Sequence, residues 1–195
     1  MREVVLDIET IPCGDAEWRA LLAKAPALKR KLRGDSALDW ALGHVVCIGI
    51  IFQEVGSERE WCEAGPDEAA LLQQFWAAIR PDDRIIGHNV LGFDLPYLQA
   101  RTVVCQVEPS RRFDLRRYST DPVYDTMQVW ANWDRQKFPK LETLAAALGL
   151  EGKSGSGDQV AKWFEDNDWG RIKEYCMQDV RLTRDIYRRF KEFGL

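Results

Sequence analysis

Two periodicities of apolar and polar residues run along this chain, and each predicts a different kind of element. Residues 2–9 (REVVLDIE) and 44–53 (HVVCIGIIFQ) are β-branched apolar runs, and the continuous second run is typical of a central strand. The alternating segment 57–64 (SEREWCEA) predicts a third strand. Shorter runs at 84–89 (RIIGHN) and 123–127 (VYDTM) predict two more, the last leading into a helix. The chain should therefore contain a sheet.

Other segments carry apolar residues three and four positions apart, which is the spacing of an amphipathic helix. The segment 15–33 also looks helical but is interrupted at Pro26, and its sequence indicates no role. Helices are predicted at 67–79, 93–104, 140–150, 159–167 and 169–193. Strands followed by helices that alternate with strands predict an α/β fold with a mixed central sheet flanked by helices.

Length and composition favour one ordinary folded domain. The 195 residues are enough for a single core, so we expect one domain over 1–195. Hydrophobic residues make up 46% and charged residues 30%, which is typical of a soluble globular protein. No apolar run reaches the roughly 20 residues that span a bilayer, and no signal pattern opens the chain. These patterns predict a cytoplasmic protein without a membrane partner.

Charge argues at first against a nucleic-acid partner, because the net charge is −4 and phosphate binders are usually basic. The objection weakens if several of the acids bind cations. Basic residues do cluster at 29–33, 111–117 and 181–191, but each cluster alone is more typical of a solvated face than of a binding groove.

The five cysteines are scattered and include no C-x-x-C pair, and only two histidines accompany them. This pattern predicts reduced, mostly buried thiols rather than a disulfide framework or a zinc site.

Two carboxylates, Asp7 and Glu9, lie inside the first apolar run, VVLDIET. Residues two apart in a strand share a face, so both side chains should project together. Such a pair repels unless a proton or a cation lies between the two groups, and an oxygen-only pair suits Mg²⁺ or Mn²⁺. Chance alone gives about five such acid pairs in a chain with this many acids, so the pair needs support from elsewhere.

Two further segments give that support. In GHNVLGFDLPYL, a strand delivers Asn89, a glycine-containing turn follows, and Phe93 and Asp94 open a helix. In EYCMQDV, Tyr175 and Asp179 lie four residues apart and therefore on one face of the last helix.

Taken together, LDIET, GHNVLGFDLPYL and YCMQDV resemble the three exonuclease motifs of the DEDD superfamily. Tyr175 matches the tyrosine branch, because the position where the histidine branch has its histidine is Glu174. The pattern is similar to compact predicted 3′-5′ exonucleases related to the proofreading domain of family B DNA polymerases. The motifs occur in the right order and span residues 7–179. The resemblance implies a ribonuclease H-like fold.

The resemblance also implies two divalent cations, Mg²⁺ or Mn²⁺, held by four acids. Asp7 would bridge the ions, Glu9 and Asp179 would complete the site of the first, and Asp94 would hold the second. Tyr175 would orient the attacking water, since a phenol with a pKa of about 10 is a poor base. The products would be 5′-mononucleotides released from a single-stranded 3′ end.

Other residues near these motifs have more than one interpretation. Asn89 and Phe93 are predicted to support binding of the last nucleotides, although core packing is the better interpretation of Phe93. Lys153, in the glycine-rich segment 151–158, is placed to touch the phosphate backbone, but a solvated loop explains it equally well. His88 is expected to be a hydrogen-bonded side chain behind the site, and Asp125 a helix-capping acid rather than a ligand.

The sequence leaves two alternatives open. An exoribonuclease would use the same acids, because the metal site binds phosphate and other contacts sense the 2′-hydroxyl group. A nuclease-like fold kept as a binding module is the other alternative, although a binder would not need all five proposed catalytic residues. Single-stranded DNA is the favoured substrate. The sequence does not identify a polymerase or repair partner.

Overall fold

The computed structural model of the protein describes residues 1–152 and 157–195. The strands of this part of the chain form one mixed sheet with the order β3-β2-β1-β4-β5. β2 is antiparallel to both β1 and β3, whereas β1, β4 and β5 run parallel. The strands are β1 (Glu3–Ile11), β2 (His44–Glu54), β3 (Ser57–Ala64), β4 (Arg84–Gly87) and β5 (Val123–Asp125). The predicted mixed central sheet is confirmed.

Helices cover both faces of this sheet, and their boundaries follow local signals. The first helix ends just before Pro26, where a short 3₁₀ turn replaces it, as the proline predicted. Asp67 caps the second helix by accepting the N–H of Ala70 at 3.0 Å. The α-helices are α1 (Asp15–Lys24), α2 (Glu68–Ala78), α3 (Asp94–Val104), α4 (Thr126–Trp130), α5 (Leu141–Ala147), α6 (Val160–Glu165) and α7 (Trp169–Glu192).

Side chains of β1 divide the core into two layers. Val4, Leu6 and Ile8 pack on one face, together with buried residues of α2 and α3. Val5 packs on the other face against buried residues of α5 and α7. Because alternate residues of a strand point to opposite faces, one buried strand serves both layers. The architecture is helix, sheet, helix, in agreement with the predicted α/β class.

Several boundaries differ from the sequence prediction. β4 ends at Gly87, two residues earlier than expected, so His88 and Asn89 lie in the turn that follows. Asn89 has φ of 63°, a left-handed conformation that asparagine tolerates and that ends the strand. The helices predicted at 140–150 and 159–167 are shorter in the structure, where they are α5 and α6.

All five cysteines are free thiols, as predicted, and Cys13, Cys47 and Cys176 are buried. None of the helices in residues 1–152 and 157–195 combines the length and the apolar character needed to cross a membrane.

Candidate active site

The first two acids lie side by side on β1. The antiparallel ladder pairs Asp7 with Gly49 and Glu9 with Cys47, so both acids project from the same face of the sheet. A shift in register follows between Glu9 and Thr10. Such irregularities bend a strand and are frequent next to active sites. Glu9 is buried and Asp7 is half-buried, so this pair lies at the edge of the core and not on an open surface.

The third acid, Asp94, binds directly to the backbone of β1. Its Oδ1 atom accepts the N–H of Ile8 at 3.1 Å, and this N–H lies between Asp7 and Glu9 in the chain. Asp94 is the first residue of α3 and is buried. The hydrogen bond therefore docks the amino-terminal end of α3 against the strand that carries the other two acids.

The last motif reaches the site because α7 lies very close to β2. A Cβ atom at Gly49 would come within 2.8 Å of Cys176 Sγ, so only glycine permits this approach. Cys176 Sγ in turn lies 3.5 Å from the backbone oxygen of Asp7. Tyr175 and Asp179, on either side of this contact, are both buried. The three predicted motifs thus meet at one place.

Electrostatics at this place favour a bound cation. Burial, and to a smaller extent the charges of Asp125 and Asp179, raise the pKa of Asp94 to about 7, against the lowering effect of its backbone hydrogen bonds. The two neighbouring acids add negative charge around this buried carboxyl group. A cation at the site would remove the repulsion.

The donor atoms fit a divalent cation that prefers oxygen. Ligand atoms of Asp7, Glu9 and Cys176 lie within 4.8 Å of one another. Carboxylate oxygens are the ligands that Mg²⁺ and Mn²⁺ prefer, whereas the Cys176 thiol belongs to a softer class of ligand. Within this group, Asp7 and Glu9 are therefore the residues suited to such an ion.

Asp125 supports the site from behind. Its carboxylate accepts the N–H groups of Asn89 and Leu91, both at 3.0 Å, and so holds the turn that precedes Asp94. It also caps α4 by accepting the N–H groups of Met127 at 3.1 Å and Gln128 at 3.2 Å. The predicted capping role is confirmed, but the contacts to the turn were not anticipated.

His88 is hydrogen-bonded behind the site, as expected. One ring nitrogen lies 3.0 Å from the Thr126 hydroxyl oxygen, and the other lies 3.1 Å from the Pro139 backbone oxygen. Both ring nitrogens thus have partners in the supporting structure.

The predicted substrate-binding residues lie in three different settings. Asn89 is half-buried in the turn before α3 and lines a surface cavity. Phe93 packs partly buried against the core, with its ring centroid 5.2 Å from that of Tyr97, which agrees with a packing role. Lys153 lies outside the described residues.

The cavity beside Asn89 brings together residues that the sequence analysis did not combine. Its volume is about 360 Å³, and the exposed Arg117 and Arg135 line it together with the aromatic pair Tyr118 and Trp133. The two rings are 5.7 Å apart. The buried indole N–H of Trp133 has no acceptor among the described residues. Arginines and aromatic rings in one cavity are typical of a surface that binds nucleic acid.

The sequence model of one protein family matches this chain over residues 41–194, and that family is described as "Predicted 3′-5′ exonuclease related to the exonuclease domain of PolB". The chain belongs to this family. A comparison with curated proteins found no match. Membership of this family implies a nuclease, which is a hydrolase that acts on nucleic acid. Exonuclease domains of this kind use divalent metals.

The matched segment contains two of the three motifs of the exonuclease. Asp94, Tyr175 and Asp179 lie within it, whereas Asp7 and Glu9 precede it. The contacts of Asp94 with Ile8 and of Cys176 with Asp7 connect the first strand to the matched part.

Proposed function

We propose that this chain is a metal-dependent 3′-5′ exonuclease that hydrolyses single-stranded DNA from its 3′ end to 5′-mononucleotides. The observation that carries the proposal is the convergence of three motifs, in which Asp94 binds the backbone between Asp7 and Glu9 while α7 brings Asp179 to the same face. Four carboxylates gathered around one strand repel one another unless protons or cations lie between them.

In this proposal, Asp7, Glu9, Asp94 and Asp179 hold two divalent cations. When bound, such ions stabilise the charge that develops on a phosphate under attack and activate water for that attack. The chain's own contribution is to hold the four carboxylates in place. The hydrogen bond from Ile8 N–H fixes Asp94, and the close packing of α7 on Gly49 fixes the helix that carries Asp179.

Tyr175 is the residue proposed to orient the attacking water. Its ring is buried and packs edge to face against Trp163, with the centroids 5.7 Å apart. This packing fixes the direction of the hydroxyl group. A phenol is too weak a base to remove a proton near neutral pH, so its role would be to position the water by a hydrogen bond.

The substrate strand is proposed to pass through the cavity beside Asn89. Arg117 and Arg135 are exposed, and no ion pair joins either of them to an acid within the described part of the chain, so both are available for phosphate oxygens. By contrast, Arg181 belongs to the basic cluster at 181–191 of α7 and forms a 2.7 Å ion pair with Glu60 of β3. This ion pair neutralises part of the charge of that cluster. The cavity thus offers positive charge, unpaired within the described residues, to a phosphate backbone, although the net charge of the whole protein is negative.

Two other functions share parts of this site. An exoribonuclease would need the same acids, because the metal site binds phosphate and other contacts sense the 2′-hydroxyl group. A silent binding module would keep the arginine-lined cavity but would not require buried acids around β1.

The test is digestion of single-stranded DNA and RNA oligonucleotides of identical sequence, labelled at the 5′ end, with Mg²⁺, Mn²⁺ or a chelator. We expect a ladder that shortens from the 3′ end only when metal is present, and faster shortening of DNA. An oligonucleotide with a blocked 3′ end controls for direction. Faster cleavage of RNA would favour the exoribonuclease, and an intact strand in every condition would favour the binding module.

Asp7→Ala is the decisive variant, and exposed Asp82→Ala is its matched control. Loss of a bridging ligand should abolish cleavage, whereas loss of a distant surface acid should leave it unchanged. Full activity in Asp7→Ala would refute the proposed metal site.

A further inference from the structure

Three thiols lie together directly beside the carboxylates. The Sγ atoms of Cys47 on β2, Cys62 on β3 and Cys176 on α7 are all within 4.8 Å of one another. Cys47 Sγ and Cys62 Sγ are 3.5 Å apart. Cys47 and Cys176 are buried, and Cys62 is half-buried. No two of these residues are neighbours in the sequence.

The register of the sheet builds this cluster. Gly49 pairs with Asp7 on one side and with Cys62 on the other, while Cys47 pairs with Glu9. Directly paired residues project from the same face, so both strand cysteines share the face of the two acids. The missing side chain at Gly49 leaves the space that Cys176 Sγ occupies. The thiol cluster and the carboxylates therefore lie next to each other on this face.

The spacing of the sulfur atoms suits one metal ion. A tetrahedral zinc site has Zn–S bonds of about 2.3 Å, which places neighbouring sulfur atoms about 3.8 Å apart. The 3.5 Å separation of Cys47 and Cys62, within a cluster no wider than 4.8 Å, brackets that value. Thiolates select soft cations such as Zn²⁺ and Cu⁺, whereas carboxylates suit Mg²⁺ and Mn²⁺. The two neighbouring sites thus differ in the class of cation that each prefers.

We propose that Cys47, Cys62 and Cys176 form a binding site for one thiophilic cation, distinct from the carboxylate site. On binding, each coordinating thiol releases its proton to the solvent and the cation bonds to the sulfur. Asp7 Oδ2, 3.8 Å from Cys176 Sγ, lies next to this site.

Occupation of this site acts on the neighbouring carboxylates. Cys176 Sγ contacts both the backbone oxygen and the Oδ2 atom of Asp7, at 3.5 and 3.8 Å. A cation that bonds to Cys176 removes the S–H donor of this residue. The same cation attracts the Asp7 carboxylate. This consequence rests on the proposed function, and it predicts that Zn²⁺ inhibits cleavage in the presence of Mg²⁺.

Zinc binding is tested without any measurement of cleavage, so its failure is separate from failure of the nuclease proposal. The whole protein is reduced with a phosphine, kept in excess Mg²⁺ to saturate the carboxylates, and alkylated with and without one equivalent of Zn²⁺. Cys62 and Cys105 are both half-buried, so Cys105 is an internal control. Peptide mass spectrometry should show alkylation of Cys62 slowed by at least about 10-fold by Zn²⁺, because thiolate nucleophilicity is lost on coordination, with Cys105 unchanged. Equal rates at Cys62 with and without Zn²⁺ would overturn the proposal.

A pair of variants tests the ligand set by competition with a chromogenic zinc chelator. Cys62→Ser removes one sulfur from the cluster, and Cys105→Ser removes a thiol outside it. Loss of a ligand should weaken Zn²⁺ binding by at least about 100-fold, since even the loss of a supporting contact costs about 10–100-fold. Cys105→Ser should bind one equivalent like the parent protein. Equal affinity in all three proteins would place zinc elsewhere and refute the site, and the alkylation result decides the question if Cys62→Ser does not fold.

Discussion

Replacing Asp94 with asparagine is expected to stabilise the protein when divalent cations are absent. Burial and neighbouring acids raise the pKa of Asp94 to about 7 in the folded protein, from an ordinary value of 3.8. The folded state therefore binds this proton more tightly than the unfolded state. The free energy of unfolding falls as pH rises from about 4 to about 7, and the loss is complete above that range.

The size of the effect follows from the difference in pKa. About three pKa units at 1.36 kcal/mol each give a cost of about 4 kcal/mol at pH 8. Asparagine keeps an oxygen that can accept the Ile8 N–H but replaces the second oxygen of the carboxylate with an amide donor. If half of the cost is recovered, the gain is about 2 kcal/mol, which raises the melting temperature of a domain of this size by about 4–8 °C.

Thermal unfolding followed by circular dichroism, in a chelator at pH 5 and pH 8, measures this gain. The increase should be larger at pH 8, where the folded carboxylate has lost its proton. Asp82→Asn changes an exposed acid in the same way and should alter the melting temperature little at either pH. An Asp94→Asn protein that melts at or below the parent temperature at pH 8 would refute the reasoning. With Mg²⁺ the order should reverse, because the parent gains binding energy that the variant lacks.

Three further changes test other parts of the structure. Tyr175→Phe should slow metal-dependent cleavage by about 100-fold without abolishing it, because a positioning hydrogen bond is lost while the acids remain, and single-turnover rates measure this. Gly49→Ala should cost about 1–3 kcal/mol in chemical denaturation and reduce cleavage, because its Cβ would press on Cys176 Sγ and displace α7. Arg101→Ala should cost about 3 kcal/mol, measured in the same way, because it leaves the buried Glu68, now 2.8 Å from Arg101, without that counter-charge.

Each of these results has a clear opposite. A parental cleavage rate in the tyrosine variant would remove the hydroxyl group from the mechanism. Unchanged stability in the glycine variant would mean that α7 can shift without cost. Little loss in the arginine variant would show that water or His44, 3.1 Å from Glu68, is sufficient to stabilise the charge.

Local patterns in the sequence predicted most of the elements because short-range rules govern them. The apolar runs at 44–53 and 123–127 became β2 and β5, and Pro26 ended α1. The two-residue period of a strand placed Asp7 and Glu9 on one face. The helical turn likewise placed Tyr175 and Asp179 on one face. Boundaries at β4 and α5 were less accurate, because a turn such as that at Asn89 is fixed by contacts with Asp125 that are distant in the chain.

The sequence by itself determined which residues bear chemistry and which of them share an element. Tertiary structure alone decided how those elements meet. Asp94 reaches Ile8 across 86 positions of the chain, and Cys176 reaches Asp7 across 169. The register of three strands and the absence of a side chain at Gly49 place Cys176 beside two cysteines that the spacing in the sequence had kept apart. Period and propensity act over a few residues, whereas side-chain packing across the sheet depends on the whole fold, so only the folded chain brings the acids and the thiols together.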